Sequence, residues 1–121
     1  MEQNYTGSCH CGAVKFEIRA DLDEALTCNC SLCSKKNAVM VRIPGENFKL
    51  LTGEDQLGLY QWNTKIAKHY FCKNCGIYTF HRPRSAPDKY GINVACLDGV
   101  DARSLNPPLL DGAALSLETD S

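Results

Sequence analysis

The sequence has no apolar run of about 18 residues, so it predicts no membrane-spanning helix. Its 13 basic and 14 acidic residues nearly cancel, which leaves no basic excess for nucleic acid or an anionic membrane. The start of the chain is polar and lacks the basic-then-apolar order of a secretory signal peptide. We therefore expect a cytoplasmic protein in a reducing compartment, with neither nucleic acid nor a membrane as its partner.

Long amphipathic helical patterns, internal repeats and linker-like segments are also missing, so the 121 residues predict one domain. Short alternating or β-branched stretches take their place, separated by turn residues. The predicted strands cover 13–20, 38–43, 47–51, 57–62, 77–81 and 90–97, with one helical turn over 31–37. In 77–81 the alternation places Tyr78 and Phe80 on one face. We predict an all-β fold with a core over about 5–98 and an extended tail over 99–121.

Cysteine, by contrast, is abundant, with eight residues in a short chain. In a secreted protein this number indicates disulfides, whereas in a reducing compartment it indicates metal binding or catalysis. Cys-x-Cys pairs are too close for relaxed disulfides between themselves, but two sulfurs at that spacing readily share one ion. We therefore favour a zinc-binding domain over a disulfide framework.

Two cysteine pairs lie about sixty residues apart, and each pair is followed by a glycine, Gly12 or Gly76. We call Cys9, Cys11, Cys72 and Cys75 the outer cluster. Four thiolates form a closed, structural zinc site. A glycine after each pair lets the backbone turn sharply so that amide groups point at the sulfurs. Closing the intervening loop costs on the order of 3–4 kcal/mol, which a structural zinc worth roughly 10–16 kcal/mol offsets.

A Cys-x-Cys-x-x-Cys motif lies between these pairs, and we call Cys28, Cys30 and Cys33 the middle cluster. Zinc with three protein ligands keeps a fourth position for water or substrate, as catalytic zinc does. Two alternatives stay open. A fourth residue could close the site without any chemistry, or the thiols could stay metal-free and oxidise among themselves. The candidates for a closing ligand are Cys96, His10, His69 and His81.

Four motifs in this order resemble the glutathione-dependent formaldehyde-activating enzyme family, which includes centromere protein V. They are CHCGAVKF at 9–16, CNCSLC at 28–33, FCKNCG at 71–76 and GINVACLD at 91–98. The resemblance covers about residues 5–98. It implies a compact, zinc-pinned, β-tent-like sheet fold with few short helical turns. It also implies a structural zinc on the outer cluster and a catalytic zinc on the middle cluster, whose cysteines are then the catalytic residues.

The activity implied by the resemblance is that of a carbon–sulfur lyase acting on a small-molecule thiol or thiol adduct, such as S-hydroxymethylglutathione formed from glutathione and formaldehyde. One alternative is a non-catalytic zinc-stabilised binding module in which only the structural site is filled. Thiol redox chemistry by the middle cluster is the other.

Basic groups near the middle cluster would hold the carboxylates of an anionic thiol. The candidates are Lys35, Lys36, Arg42, Arg82 and Arg84, although such residues are more often solvated surface. His69 and His81 bracket the second cysteine pair and could act in acid–base chemistry. A satisfied structural role is the simpler interpretation of both histidines. Cys96 on an apolar stretch is most simply a small buried hydrophobic residue.

Overall fold

The computed structural model describes residues 1–62 and 65–110, and within them the protein is built mainly of β-strands. This confirms the all-β prediction. The strands are β1 (Gln3–Ser8), β2 (Lys15–Ala20), β3 (Thr27–Cys28), β4 (Met40–Pro44), β5 (Phe48–Thr52), β6 (Leu57–Tyr60), β7 (Lys68–Cys72), β8 (Tyr78–Arg82), β9 (Lys89–Asn93) and β10 (Leu109–Leu110). The α-helix α1 (Ser31–Lys36) is six residues long, and short 3-10 turns join several strands. Within the described ranges, no helix has the length and apolar character needed to cross a membrane.

Two antiparallel sheets make up most of the fold. Strands β1, β2 and β5 form a three-stranded sheet in that order, and the five-stranded sheet has the order β4-β9-β8-β7-β6. The two-residue strands β3 and β10 pair in parallel. The β1–β2 and β7–β8 connections carry the outer cluster, and β3 with α1 carries the middle cluster. The fold therefore places one cluster on two hairpin turns and the other on a strand-to-helix junction.

The core lies between the two sheets. Strand β2 contributes apolar side chains to it from one of its two faces. Phe16 and Ile18 are buried there while Lys15 and Glu17 are exposed, as the sequence predicts. The five-stranded sheet adds apolar side chains from its central strands, and the rings of Phe16 and Phe80 meet edge-on. Burying each such side chain contributes about 1.5–3 kcal/mol. The cluster includes Phe16, Ile18, Val41, Ile43, Phe80, Ile92 and Val94.

Several strands differ from the sequence prediction. Gln3–Ser8 form β1 and Lys68–Cys72 form β7, and the sequence analysis predicted neither strand. The predicted strand over 57–62 ends at Tyr60, and the one over 90–97 ends at Asn93. The side chain of Asn93 accepts a hydrogen bond from the Ala95 N–H, which starts a 3-10 turn instead of continuing the strand.

The segment after Asp98 packs onto the domain as far as the structure describes it. Ala102–Leu105 form a 3-10 helix, and Ala102 is buried. Thr27 N–H donates to the Pro108 carbonyl and Asn29 N–H to the Leu110 carbonyl, which seats β10 beside β3. Leu110 then packs against the middle cluster. The remainder of the predicted tail, 111–121, lies outside the described residues.

Candidate metal centres

The outer cluster is assembled from two turns with closely similar backbone bonding. In the first, Cys9 N–H donates to the Val14 carbonyl, and in the second, Cys72 N–H donates to the Ile77 carbonyl. Each turn therefore closes over the same number of residues. The glycines that follow the cysteine pairs have φ values of +82° and +80°, in the left-handed region that favours glycine. The sharp turns predicted from Gly12 and Gly76 are thus present.

Sulfur separations in the outer cluster fit one tetrahedral ion. The Cys9 and Cys11 sulfurs lie 3.6 Å apart, and the Cys11 and Cys72 sulfurs 3.7 Å apart. A zinc–sulfur bond of about 2.3 Å places tetrahedral sulfurs about 3.8 Å apart, whereas a disulfide needs about 2.05 Å. All four sulfurs lie within 4.8 Å of one another. The donor set and its spacing therefore fit zinc and exclude a disulfide in this geometry.

Hydrogen bonds favour the ionised form at two of the outer sulfurs, those of Cys11 and Cys75. The Cys72 sulfur accepts from the Cys75 N–H, but burial and the neighbouring Cys11 and Cys9 sulfurs raise its pKa to about 11. The backbone N–H groups of Cys11 and Ile77 lower the pKa of Cys75 to about 6. The Asn74 side chain and the Ala13 N–H lower the pKa of Cys11 below its ordinary range. Cys11 is exposed and Cys75 half-buried, so this cluster lies at the surface on one side. Such a cluster presents thiolates to a metal without a large desolvation penalty.

The middle cluster lies at the junction of β3 and α1. Cys28 ends the strand, Cys33 lies in the first helical turn, and Cys30 is the N-cap, whose sulfur accepts from the Cys33 N–H at 3.4 Å. Their sulfurs also lie within 4.8 Å of one another. All three residues are buried, with exposed fractions of 3–5%. Burial raises the pKa of the Cys33 thiol well above its ordinary range, while the positive charge of Lys36 opposes that rise.

Among residues 1–62 and 65–110, no fourth His, Cys, Asp or Glu joins the middle cluster. Cys96 is instead buried against the Tyr78 carbonyl, and burial raises its pKa to about 12. His10 is exposed in the first outer turn. Three buried sulfurs that converge without a closing ligand fit zinc with one position left for another ligand. Both cysteine clusters could therefore hold a metal ion, in sets of four and three.

A polar layer borders the middle cluster. His69 on β7 and His81 on β8 are register partners, and their rings stack with centroids 5.2 Å apart. The Tyr78 hydroxyl lies 2.6 Å from Nδ1 of His81, and Tyr78 also packs against the cysteines. Lys36 Nζ lies 3.1 Å from Nδ1 of His69 and 3.8 Å from the centre of the Tyr78 ring. We call Lys36, His69, Tyr78 and His81 the polar layer. Sequence reasoning considered the two histidines singly and missed this arrangement.

The prediction that Tyr78 and Phe80 share a face is wrong. The pairing of β7 with β8 shifts register between Tyr70 and Phe71, so strict alternation fails there. Phe80 packs in the core while Tyr78 packs against the middle cluster. This irregularity is what brings a tyrosine hydroxyl into the polar layer.

The five basic residues considered as substrate-binding candidates differ in their contacts and in their distance from the polar layer. Arg82 donates to the Pro87 carbonyl and to the Tyr90 hydroxyl, which gives it a structural role. Lys35 is exposed, and Arg84 is half-buried. Arg42 lies in register with Gly91, which is in register with His81, so Arg42 shares the face of the polar layer. Lys36 is in direct contact with that layer.

Two surface grooves lie elsewhere. One of about 600 Å³ is lined by residues of β1, β2 and β5 with their neighbours, including Tyr5, Arg19 and Asp98. The other, of about 310 Å³, is lined by aromatic and charged residues that include Phe48 and Arg82. Neither is lined by a cysteine, so neither belongs to the candidate metal centres.

Comparison with known proteins gives a family match and a structural match. A family model described as glutathione-dependent formaldehyde-activating enzyme matches residues 4–109. The crystal structure of a Rhodobacter sphaeroides protein, from a structural genomics programme, is similar over 87% of this chain and 99% of that chain. The two share 42% sequence identity, and their TM-score is 0.83. These matches agree with the order of motifs in the sequence.

Proposed function

This chain belongs to the glutathione-dependent formaldehyde-activating enzyme family, and from that membership we propose that it is a zinc-dependent carbon–sulfur lyase-like enzyme. Its substrate is a small-molecule thiol or a thiol–aldehyde adduct such as S-hydroxymethylglutathione. The outer cluster holds one structural zinc, and the middle cluster holds one catalytic zinc. The observation that carries the proposal is the convergence of three buried sulfurs in the middle cluster without a fourth ligand among the described residues.

The reaction needs no oxidant or reductant. The thiol sulfur adds to the aldehyde carbon, so an S–C bond forms and the C=O π bond breaks. The proton lost from sulfur ends on the former carbonyl oxygen, and the reverse reaction restores both molecules. Zinc, when bound, lowers the pKa of a thiol or polarises a carbonyl oxygen. This is the chemistry that a three-cysteine site makes available to such a substrate.

The residues around the middle cluster prepare it for that step. The Cys30 N–H lies 3.5 Å from the Cys28 sulfur, and the Cys33 N–H lies 3.4 Å from the Cys30 sulfur. These contacts hold the sulfurs in place. Met40 and Leu110 pack against the cluster and keep bulk water from it. A dry site of this kind strengthens each electrostatic contact made inside it.

Metal counting with an activity assay tests the proposal. Purified protein should contain two zinc ions per chain, and it should accelerate the exchange of formaldehyde with glutathione seen by NMR exchange spectroscopy. One ion per chain that survives Cys28→Ser would instead support the binding module. Rapid disulfide formation within the middle cluster, together with catalysis of thiol exchange, would support redox chemistry. Two ions with no acceleration would overturn the formaldehyde substrate.

A further inference from the structure

Lys36 is placed by the helix that carries the middle cluster. It lies three residues after Cys33 on α1, and residues at that spacing are neighbours on one helix face. Its side chain is half-buried, and its ammonium group reaches His69 on β7 and Tyr78 on β8. The helix therefore delivers a positive charge to the side of the cysteine cluster.

Two uncharged groups hold this ammonium. A lysine ammonium only donates hydrogen bonds, so Nδ1 of His69 accepts at 3.1 Å. The face of the Tyr78 ring, 3.8 Å away, attracts the same cation. His69 is 3% exposed and therefore stays neutral. Together these two contacts help to fix the position of the ammonium.

The bonding of His69 follows from this contact. With Nδ1 accepting, the neutral ring carries its proton on Nε2. That nitrogen is buried and has no hydrogen-bond partner in the part of the chain that the structure describes. A histidine kept only for its own stability would have both ring nitrogens satisfied. Within the described residues, the ring of His69 makes its hydrogen bond to the ammonium that it orients.

We propose that Lys36 binds the anionic sulfur or oxygen of the thiol adduct at the middle cluster, and that His69 is the residue that positions Lys36. This inference rests on the proposed function. Three thiolates already exceed the charge of one divalent cation, and an entering thiolate or alkoxide adds to that excess. A fixed ammonium beside Cys33 offsets the added charge, as an opposite charge does for any ionised ligand in a poorly solvated site.

Cobalt-substituted protein provides a readout that does not depend on turnover. Thiolate ligation of Co²⁺ gives a charge-transfer absorption, so titration with glutathione reports thiol binding at a site with an open position. Lys36→Met should raise the dissociation constant for glutathione about tenfold or more, since removing a close charge partner typically costs at least 1.4 kcal/mol. Lys36→Arg should recover part of the loss. Lys35→Met, which removes the adjacent exposed lysine, is the matched control and should leave binding unchanged.

Variants of His69 test its positioning role. His69→Asn keeps an acceptor close to the place of Nδ1 and should bind glutathione nearly as well as the wild type. His69→Phe keeps a buried ring without an acceptor and should resemble Lys36→Met. If the wild type and Lys36→Met bind glutathione equally well, the inference about Lys36 is overturned. Binding of glutathione by both proteins would still support the proposed function. No spectral response of the wild type to glutathione would overturn the proposed function itself.

Discussion

The outer cluster joins residues that are far apart in sequence, with Cys11 and Cys72 separated by 61 positions, whereas the middle cluster lies within residues 28–33. A cross-link over a long loop removes many conformations from the unfolded chain, and one within six residues removes few. Metal on the outer cluster should therefore stabilise the topology. Metal on the middle cluster should leave it almost unchanged, because the fold does not need that link to bring distant elements together.

The immediate surroundings of the sulfurs also differ between the outer and the middle cluster. The outer cluster is partly exposed, and backbone N–H groups lower the pKa of Cys75 there, while the buried Cys72 has a raised pKa. Burial raises the pKa of Cys33, and apolar neighbours with a polar layer surround the middle cluster. The outer cluster is thus prepared to bind an ion in a closed shell. The middle cluster resembles a site in which a buried metal and its neighbours act on a further ligand.

The largest expected effect is the loss of the fold when the outer cluster is broken. Cys72→Ser removes a fully buried cysteine of that cluster, and we expect the loss of several kcal/mol from a total stability of about 5–15 kcal/mol. Circular dichroism and urea unfolding measure the change. Cys96→Ser is the matched control, since Cys96 is a buried cysteine outside both clusters and should cost about 1 kcal/mol. A Cys72→Ser protein that melts like the wild type would refute a structural role for this cluster.

A large effect on chemistry, with little effect on folding, is expected for the middle cluster. Cys30→Ser removes one thiolate, but serine is a good helix N-cap and can accept from the Cys33 N–H as the sulfur does. We expect the metal content to fall from two ions to one, and the exchange reaction to slow by at least a hundredfold, roughly the effect of losing a metal ligand's orientation. Elemental analysis and urea unfolding measure the two parts. Collapse of the fold would mean that the middle cluster is structural too.

Much of the fold could be predicted from local sequence. The alternation around Phe16 predicts β2, and the glycine after each outer pair predicts a turn that the structure places in the left-handed region. The grouping of seven cysteines predicts two clusters, because residues two or three positions apart share a side of the chain. These predictions succeed since each depends on a few neighbouring residues.

The polar layer could not be predicted in this way, because its contacts join separate elements. Lys36 and His69 are 33 positions apart, and no periodicity links them. Tyr78 reaches the layer only because the β7–β8 register shifts, which reverses the face that alternation assigns to it. The strand β1 was missed because its inward positions are taken by Tyr5 and Gly7, and a glycine gives no hydrophobic signal of a strand. The Lys36–His69 contact, the position of Tyr78 and the pairing of β1 all depend on packing between residues far apart in the sequence.

A moderate effect should come from Gly91, the glycine beneath the polar layer. A Cβ atom at Gly91 would overlap the ring of His81, so Gly91→Ala must displace that ring or the strand. We expect a loss of about 1–3 kcal/mol in urea unfolding, together with weaker glutathione binding. In a His81→Ala background the ring is gone, and the same substitution should cost much less. Equal costs in both backgrounds would show that His81 is not what Gly91 accommodates.

The smallest expected effect is a pH dependence of stability that comes from the histidine beside the middle cluster and not from the histidine in the first outer turn. Burial and then the charge of Lys36 lower the pKa of His69 to about 3, whereas His10 in the first outer turn is exposed. In the unfolded chain His69 binds a proton below about pH 6.5, whereas in the folded protein it stays neutral at that pH. Its contribution to the free energy of unfolding is therefore fully present above about pH 6.5 and is lost as the pH falls toward 3. Between pH 7.5 and 5.5 this ring should contribute a loss of about 1.4 kcal/mol, measured by urea unfolding with zinc in excess. His69→Asn should remove that part of the pH dependence, and His10→Gln should retain it. The same pH dependence in His69→Asn and the wild type would contradict a buried, neutral His69, and with it the acceptor that fixes Lys36.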